Sequence, residues 1–279
     1  HKAQDSCKRI KPLMKETTYE DDSLVQEPGT LEVSDVSFAY PGGERIYEDF
    51  NLSATPGQII GVTGAVACGK STLGKTFLCE YPYEGRICFH GKELSGMTKA
   101  EQNGMVGYLG HDPELFNDSV RNNILLGDDD DPEKYLKAVC FDGEVAEMEE
   151  GMDTIVGNGG VRLSGGQAQR LALARTLCHK RPVLILDDPF SALDRKTEKE
   201  VFANLRKLTA DSIVILLSHR LYLFPKMDQV LWMEDGKVTA GTHEQILEKF
   251  PEYARLYEAQ ADGADAHSTQ EGGLDHAEK

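Results

Sequence analysis

The chain of 279 residues has a formal net charge of −17 and is 40% apolar, a composition typical of a globular protein. Its acidity argues against a nucleic-acid-binding surface, which needs clustered basic residues. No apolar run reaches the roughly 18 residues of a membrane-spanning helix, and the polar N-terminal residues do not resemble a secretory signal, so we expect a cytosolic setting. The six cysteines include no C-x-x-C pair, and we expect them to be reduced thiols.

The elements predicted in chain order alternate between strands and helices, with a helical insert over residues 112–179. Apolar periodicity predicts strands over 31–40, 46–52, 59–62, 85–90, 105–109, 183–186, 213–217 and 230–233, and helices over 70–78, 196–208 and 244–259. Within the insert, helices are predicted to begin at Asp118 or Ser119, at Pro132 and at Ser164. The pattern indicates an α/β fold. The tail, residues 261–279, has no periodicity and is expected to be disordered.

A glycine-rich stretch lies between the strand at 59–62 and the following helix. It has the pattern G-x-x-x-x-G-K-[ST], and this phosphate loop consists of Gly64, Ala65, Val66, Ala67, Cys68, Gly69, Lys70, Ser71 and Thr72. In such a loop, backbone N–H groups surround a phosphate, Lys70 adds a mobile positive charge, and Ser71 can bind Mg²⁺. An ordinary glycine-rich turn is the alternative, but the strand before and the helix after favour a phosphate site.

Two carboxylates follow the apolar strand at 183–186. Asp187 and Asp188 stand where this buried strand emerges into solvent. Beside a phosphate loop, Asp187 can hold Mg²⁺ through water while Asp188 faces the attacking water. A strand that ends in an acidic turn is the structural alternative.

A second anion site is predicted where Ser164 begins a helix and two glycines let backbone N–H groups approach a phosphate closely. We call residues 163–167 (Leu-Ser-Gly-Gly-Gln) the signature. Either it serves the same nucleotide as the phosphate loop, or it serves a nucleotide shared with a second molecule. The spacing does not decide between these arrangements.

The motifs at 64–72, 163–167, 184–189, 191–194 and 218–220, in this order, resemble the nucleotide-binding domain of an ATP-binding cassette (ABC) transporter. The resemblance covers about residues 30–258. It implies a P-loop NTPase fold, in which a parallel sheet is joined by an antiparallel β region and a helical signature subdomain, with ATP and Mg²⁺ as ligands. In that family two domains pack head to tail, and ATP lies between the phosphate loop of one and the signature of the other.

The resemblance also implies roles for individual residues. Tyr40 would stack on adenine, as the aromatic run at 38–41 also suggests. His219 would sense the γ-phosphate and Asp194 would link the two sites. The signature residues that would contact the ATP of the partner site are Ser164, Gly165, Gly166 and Gln167. Residues 154–160 are similar to the exporter-type segment that touches the transmembrane partner, with Asn158 in place of its glutamate.

Three residues depart from the family pattern. Asp188 stands where a catalytic glutamate is usual, and its shorter side chain predicts slow hydrolysis. His111 replaces a glutamine that supplies a Mg²⁺ ligand near the catalytic residues. A neutral histidine can accept a hydrogen bond or ligate a metal in its place, but it has no amide carbonyl. Ala67 replaces a common glycine, which is tolerable if its φ is negative.

Substituted catalytic residues beside an intact phosphate loop and signature resemble the degenerate half of a heterodimeric exporter. The sequence therefore predicts a linker from a missing transmembrane domain over 1–28, a nucleotide-binding domain over 29–260 with its helical subdomain at 112–179, and the tail. The domain would sit at the cytoplasmic face of a membrane. The alternatives are a sluggish homodimeric ATPase, a non-transport ABC ATPase, a module that binds ATP without hydrolysing it, and, as the weakest, a phosphotransfer kinase.

Overall fold

The computed structural model describes residues 27–268, so most of the predicted linker, Cys7 and residues 269–279 lie outside the described part. Its strands are β1 Leu31–Ala39, β2 Arg45–Ala54, β3 Ile59–Gly64, β4 Glu84–Phe89, β5 Lys92–Glu93, β6 Val106–Leu109, β7 Asp118–Ser119, β8 Ile155–Val156, β9 Val183–Asp187, β10 Ile213–Leu217, β11 Gln229–Glu234 and β12 Lys237–Gly241. Its α-helices are α1 Lys70–Thr76, α2 Lys99–Met105, α3 Val120–Leu125, α4 Pro132–Ala138, α5 Asp142–Ala146, α6 Gly165–Cys178, α7 Arg195–Leu208, α8 His243–Lys249 and α9 Pro251–Ser268.

Ten of these strands form one mixed sheet in the order β5-β4-β1-β2-β12-β11-β3-β10-β9-β6. The five strands from β11 to β6 are mutually parallel, whereas β1 pairs antiparallel with both β2 and β4. A single parallel pairing, Lys237 with Glu48, joins the antiparallel strands to the parallel part. The predicted α/β class, with a parallel core and an antiparallel region, is confirmed.

The parallel strands are apolar throughout because both faces of the sheet are covered. Side chains alternate between faces along a strand. In β10, Val214 and Leu216 join the core on one face, with the helical insert, while Ile213 and Ile215 join the core on the other, with α1 and the antiparallel strands. All five residues of β10 are buried.

Three helices of the insert, α3, α4 and α6, begin at side-chain N-caps, of which Ser119 is one of two predicted candidates, Ser164 was predicted, and Asp131 was not predicted. The Ser119 hydroxyl accepts from the N–H of Asn122, and Asp131 caps α4, which begins with Pro132. Ser164 and Gln167 form a reciprocal capping box at the start of α6. These caps pair N–H groups that a helix leaves without partners, and the signature at the start of α6 lies at the surface.

Several elements were not predicted from the sequence. Helix α2 begins at a capping box of Thr98 and Glu101, and the β11–β12 hairpin turns at Asp235-Gly236, both of which are recognisable signals. The last helix continues to Ser268, so the expectation of disorder beyond Gln260 is wrong for 261–268. Among residues 27–268, no helix is long and apolar enough to cross a membrane.

Candidate nucleotide-binding site

The carboxyl ends of four adjacent parallel strands carry the predicted chemistry. In the registers of the sheet, Leu217 at the end of β10 is level with Val62 on one side and with Asp187 on the other. On β6, Leu109 is level with Leu186. The phosphate loop, the two aspartates, His219 and His111 therefore follow neighbouring strands at the same edge, which is where open α/β sheets bind ligands.

The phosphate loop leaves a fully buried β3 and turns at glycines that no other residue can replace. A Cβ on Gly64 would lie 2.3 Å from the carbonyl oxygen of Met233, and Gly69 has a φ of +98°. Lys70 is buried, and its Nζ donates to the carbonyls of Ala65 (3.2 Å) and Gly64 (3.4 Å). The ammonium group thus lies along the loop, where it can move to a bound phosphate.

Cys68 lies within this charged loop. Its Sγ is 3.7 Å from Lys70 Nζ, and its side chain is partly buried. Each cysteine that the structure describes is a free thiol, namely Cys68, Cys79, Cys88, Cys140 and Cys178.

The backbone of Ala67 differs from the prediction. Its φ is +63°, in the left-handed region, where the sequence argument required a negative φ. A Cβ in this conformation costs about 1–2 kcal/mol, which a glycine avoids. The loop therefore reaches its shape with local strain at Ala67, and the condition under which an alanine would be tolerated here, a negative φ, is not met.

The two aspartates differ in environment. Asp187 ends β9 and is buried, and Oδ2 of its carboxylate accepts a 3.4 Å hydrogen bond from the Tyr108 hydroxyl. Asp188 has a φ of +49°, and its Oδ1 is buried without a hydrogen-bond partner among the described residues. Burial raises the pKa of Asp188 above its usual value of 3.8, and His219 and His111 oppose this rise. Because this oxygen is both buried and without a partner among these residues, the ionised form of the carboxylate is costly at this position.

His219 follows β10 and His111 follows β6, the two strands on either side of β9, which ends just before Asp188, and both histidines oppose the rise in the pKa of Asp188. Partial desolvation of the exposed His219 side chain, followed by the charge of Lys70, lowers the pKa of His219 below its usual 6.5. The imidazole is therefore neutral at pH 7 and has one N–H to donate. His111 is exposed.

The aromatic residue predicted to stack on adenine lies beside the phosphate loop. Tyr40 is 37% exposed, and its hydroxyl is 3.4 Å from the Thr72 hydroxyl on α1. Its ring packs edge-on against Phe38 and Tyr81, with centroid separations of 5.0 and 5.3 Å. These neighbours hold the ring at the surface, where it can receive a base.

The signature lies at the start of α6, and its polar groups differ in availability. The Gln167 side chain accepts from the N–H of Ser164 and donates to Glu144 (2.7 Å), so it is bound within its own subdomain. Ser164 and Gly165 are exposed, and a Cβ on Gly166 would lie 3.1 Å from Ala192. Ser164 and the two glycines thus remain the residues suited to face a nucleotide. Among residues 27–268, no hydrogen bond joins them to the phosphate loop.

Asp194 has a structural role in this chain. Its carboxylate caps α7 by accepting from the N–H groups of Lys196 and Thr197 and from the Thr197 hydroxyl, and these bonds lower its pKa. The role that links two sites stays a prediction.

The exporter-type segment at 154–160 borders a surface cavity. The cavity measures about 410 Å³, and Gly157, Asn158 and Arg162 face Pro113 and Leu115 across it. It therefore connects the residues that follow His111 to those that precede the signature.

Three residues near the site received no role from the sequence. Tyr108 binds Asp187, and Arg220 donates to the carbonyls of Ser191 (2.7 Å) and Leu193 (3.1 Å) and to buried Glu198 (2.8 Å). The sequence shows an arginine next to His219 and a glutamate on the buried face of α7. It does not show what they bind, because their partners lie at distant sequence positions.

The donor set fits a Mg²⁺ ion that is held largely by a nucleotide. Within the described range, no cluster of three or more His, Cys, Asp or Glu side chains could hold a metal ion. Mg²⁺ characteristically uses one or two protein oxygens together with substrate phosphates and water. Ser71 and Asp187 can supply those oxygens, and His111 provides no oxygen.

The fold and this site define a P-loop nucleotide-binding domain with an attached helical subdomain. A model of the ABC transporter family matches residues 47–191, and the chain belongs to that family as its ATPase domain. It is 39% identical over 237 residues to an ATP-dependent lipid A-core flippase of Pseudomonas putida, covering 82% of this chain and 39% of the relative. It is 33% identical over 252 residues to the ATP-binding cassette sub-family B member 6 of Xenopus tropicalis, covering 88% and 30%.

A solved structure, of a bacterial Atm1-family ABC exporter with ATP bound, superposes on 93% of this chain and 48% of its own, with 27% identity and a TM-score of 0.78. The chain thus spans less than half the length of each of these three proteins.

Proposed function

We propose that this chain is the ATP-binding domain of an ABC exporter and that its own site hydrolyses ATP slowly. The observation that carries the proposal is the orphaned, retracted carboxylate of Asp188 beside a complete phosphate loop and an exposed signature. Similarity to the exporter structure and to the flippase supports the exporter assignment. The substrate that is exported depends on a membrane-spanning domain.

The geometry supports separate roles for different residues in ATP binding. Tyr40 stacks on the base, the N–H groups of 64–72 surround the β-phosphate, and Lys70 moves from its loop carbonyls to the phosphates. Mg²⁺, held by Ser71 and Asp187, would neutralise charge on the β- and γ-phosphates. Tyr108 holds Asp187 in place from the neighbouring strand.

Hydrolysis needs a carboxylate that orients the attacking water. Asp188 places a carboxylate at this edge of the sheet, but its side chain is one methylene shorter than that of glutamate. A displacement of about 1 Å from the productive position can cost roughly a hundredfold in rate. Neutral His219 donates its N–H to the γ-phosphate oxygen in this arrangement.

The partner in this proposal is a second nucleotide-binding domain, packed head to tail. An intact signature with a slow site suits a heterodimer, in which Ser164 and the glycines complete the working site of the partner. A slow homodimer is the second candidate. Three exposed apolar side chains lie close in sequence to residues that line the cavity: Phe116 (57% exposed), Val161 (50%) and Ile155 (42%). They suit docking of the membrane-spanning domain on the cytoplasmic side.

The experiment is MgATP turnover by the native chain and by Asp188→Glu over a range of protein concentrations, with Lys70→Ala as the inactive control. We expect near-zero native turnover and a gain of at least tenfold in Asp188→Glu that rises with concentration. Brisk native turnover would overturn the slow-site proposal. Failure of the native chain to bind MgATP would overturn the assignment of the phosphate loop.

A further inference from the structure

The side chain of Gln260 on α9 binds the segment that carries His219. Its Nε2 donates to the carbonyl oxygen of His219 (2.7 Å), and its Oε1 accepts from the N–H of Leu221 (2.8 Å). Both ends of the amide are therefore used by backbone atoms on either side of Arg220. This two-point contact restrains the backbone of residues 219–221.

The backbone of Gln260 also contacts the start of α7. Its carbonyl oxygen accepts from Arg195 Nη2 (2.8 Å), and Arg195 directly follows Asp194. The Arg195 guanidinium also lies 4.5 Å from the centre of the Tyr222 ring. Gln260 thus joins the start of α7 to the histidine segment, at three points of contact.

Arg220 holds the same segment through a separate set of hydrogen bonds. Its guanidinium binds the Ser191 and Leu193 carbonyls and Glu198, which is fully buried. Residues 219–221 are therefore held between the 191–194 turn and α9, while the His219 side chain itself remains exposed. None of these bonds uses the imidazole, which is left available for a phosphate.

We propose that Gln260 is a positioning residue for His219, through which the C-terminal helix sets where the imidazole stands relative to the γ-phosphate. The proposal rests on the proposed function for the role of His219. Under this proposal the position of α9 controls the position of His219, because movement of α9 removes two hydrogen bonds from the histidine segment at once. Loss of two such bonds corresponds to roughly a tenfold change in local opening.

The first test measures backbone hydrogen exchange in the native chain, Gln260→Ala and Glu258→Ala. Glu258 is an exposed residue on the same helix and is the matched control. We expect exchange in residues 218–222 to become about tenfold faster in Gln260→Ala alone, and the imidazole NMR signal of His219 to shift in that variant alone. Unchanged exchange with an unmoved His219 signal would overturn the proposal.

A second variant separates the two hydrogen bonds. In Gln260→Glu the carboxylate still accepts from Leu221 but no longer donates to the His219 carbonyl. We expect protection at Leu221 to persist while the His219 signal moves. An equal loss of protection in Gln260→Glu and Gln260→Ala would count against the two-point contact.

The third test distinguishes positioning from general stability. In the Asp188→Glu protein, adding Gln260→Ala should lower kcat about tenfold while KM for MgATP stays within twofold, because Gln260 does not touch the phosphate loop. A rise in KM with unchanged kcat would contradict the proposal. Should Asp188→Glu itself be inactive, the proposed function fails, and the exchange and NMR measurements still decide the role of Gln260.

Discussion

The backbone N–H of Asp188 donates a 2.9 Å hydrogen bond to the carbonyl oxygen of Leu217, two residues before His219. The carboxylate and the imidazole therefore leave neighbouring parallel strands at the same level. This relationship is set by the sheet and does not depend on side-chain length. Exchange of Asp188 for glutamate thus changes mainly the reach of the carboxylate.

Replacement of Ala67 by glycine should stabilise the protein. The φ of +63° at Ala67 costs more with a Cβ than glycine loses in chain entropy, so we expect a gain of roughly 0.5–1 kcal/mol in the free energy of unfolding. Urea unfolding measures the gain. Ala65→Gly is the control, because the φ of Ala65 is not positive and the change should destabilise; equal effects of both variants would refute the strain argument.

Replacement of Asp188 by asparagine should also stabilise the protein at pH 7, by about 1 kcal/mol. The buried Oδ1 has no partner, and asparagine tolerates a positive φ well. The change removes one negative charge from a chain of net charge −17, so Asp129→Asn, at an exposed site, is the charge-matched control.

The gain in the free energy of unfolding from Asp188→Asn should depend on pH. Because burial raises the folded-state pKa of Asp188 above its unfolded value, the cost of the buried carboxylate is fully present above the folded pKa and disappears as the pH falls through it. The difference in unfolding free energy between variant and native chain should shrink from pH 7 toward pH 4. A difference that stays constant over this range would show that the carboxylate is not the cause.

Removal of the Tyr40 ring should weaken ATP binding. Stacking of a base on an aromatic side chain contributes about 1–3 kcal/mol, so Tyr40→Ala should raise the Kd for MgATP by at least roughly fivefold. Tyr40→Phe keeps the ring and loses only the contact with Thr72, and its Kd should stay within about twofold. Titration calorimetry provides both values, and equal losses would exclude stacking.

Complementation should show whether two chains share a site. Asp188→Glu combined with Ser164→Ala has a working phosphate loop and a broken signature, whereas Lys70→Ala has the reverse. A head-to-tail dimer predicts that each protein alone is inactive and that their mixture hydrolyses MgATP. Mixing the first protein with Lys70→Ala/Ser164→Ala is the control, and activity there would contradict a shared site.

The sequence by itself determined the parts of the structure that local patterns encode. Short uninterrupted apolar runs located β9 and β10, the residues at 118–119 and Ser164 marked helix starts, and the glycine spacing located the phosphate loop. Family membership followed from the order of the motifs and was confirmed by the family model. These features are readable because backbone periodicity, capping and glycine turns act over a few residues.

The tertiary structure alone decided how distant residues combine. The positive φ of Ala67, the bond from Tyr108 to Asp187, the binding of Gln167 to Glu144 and the contact of Gln260 with His219 each join segments far apart in the chain or depend on the packing of a whole loop. A long-range pair has no local signature, because its geometry arises only when the sheet has brought both strands to the same edge. The position of the histidine segment, on which hydrolysis depends in our proposal, is therefore a property of the assembled fold.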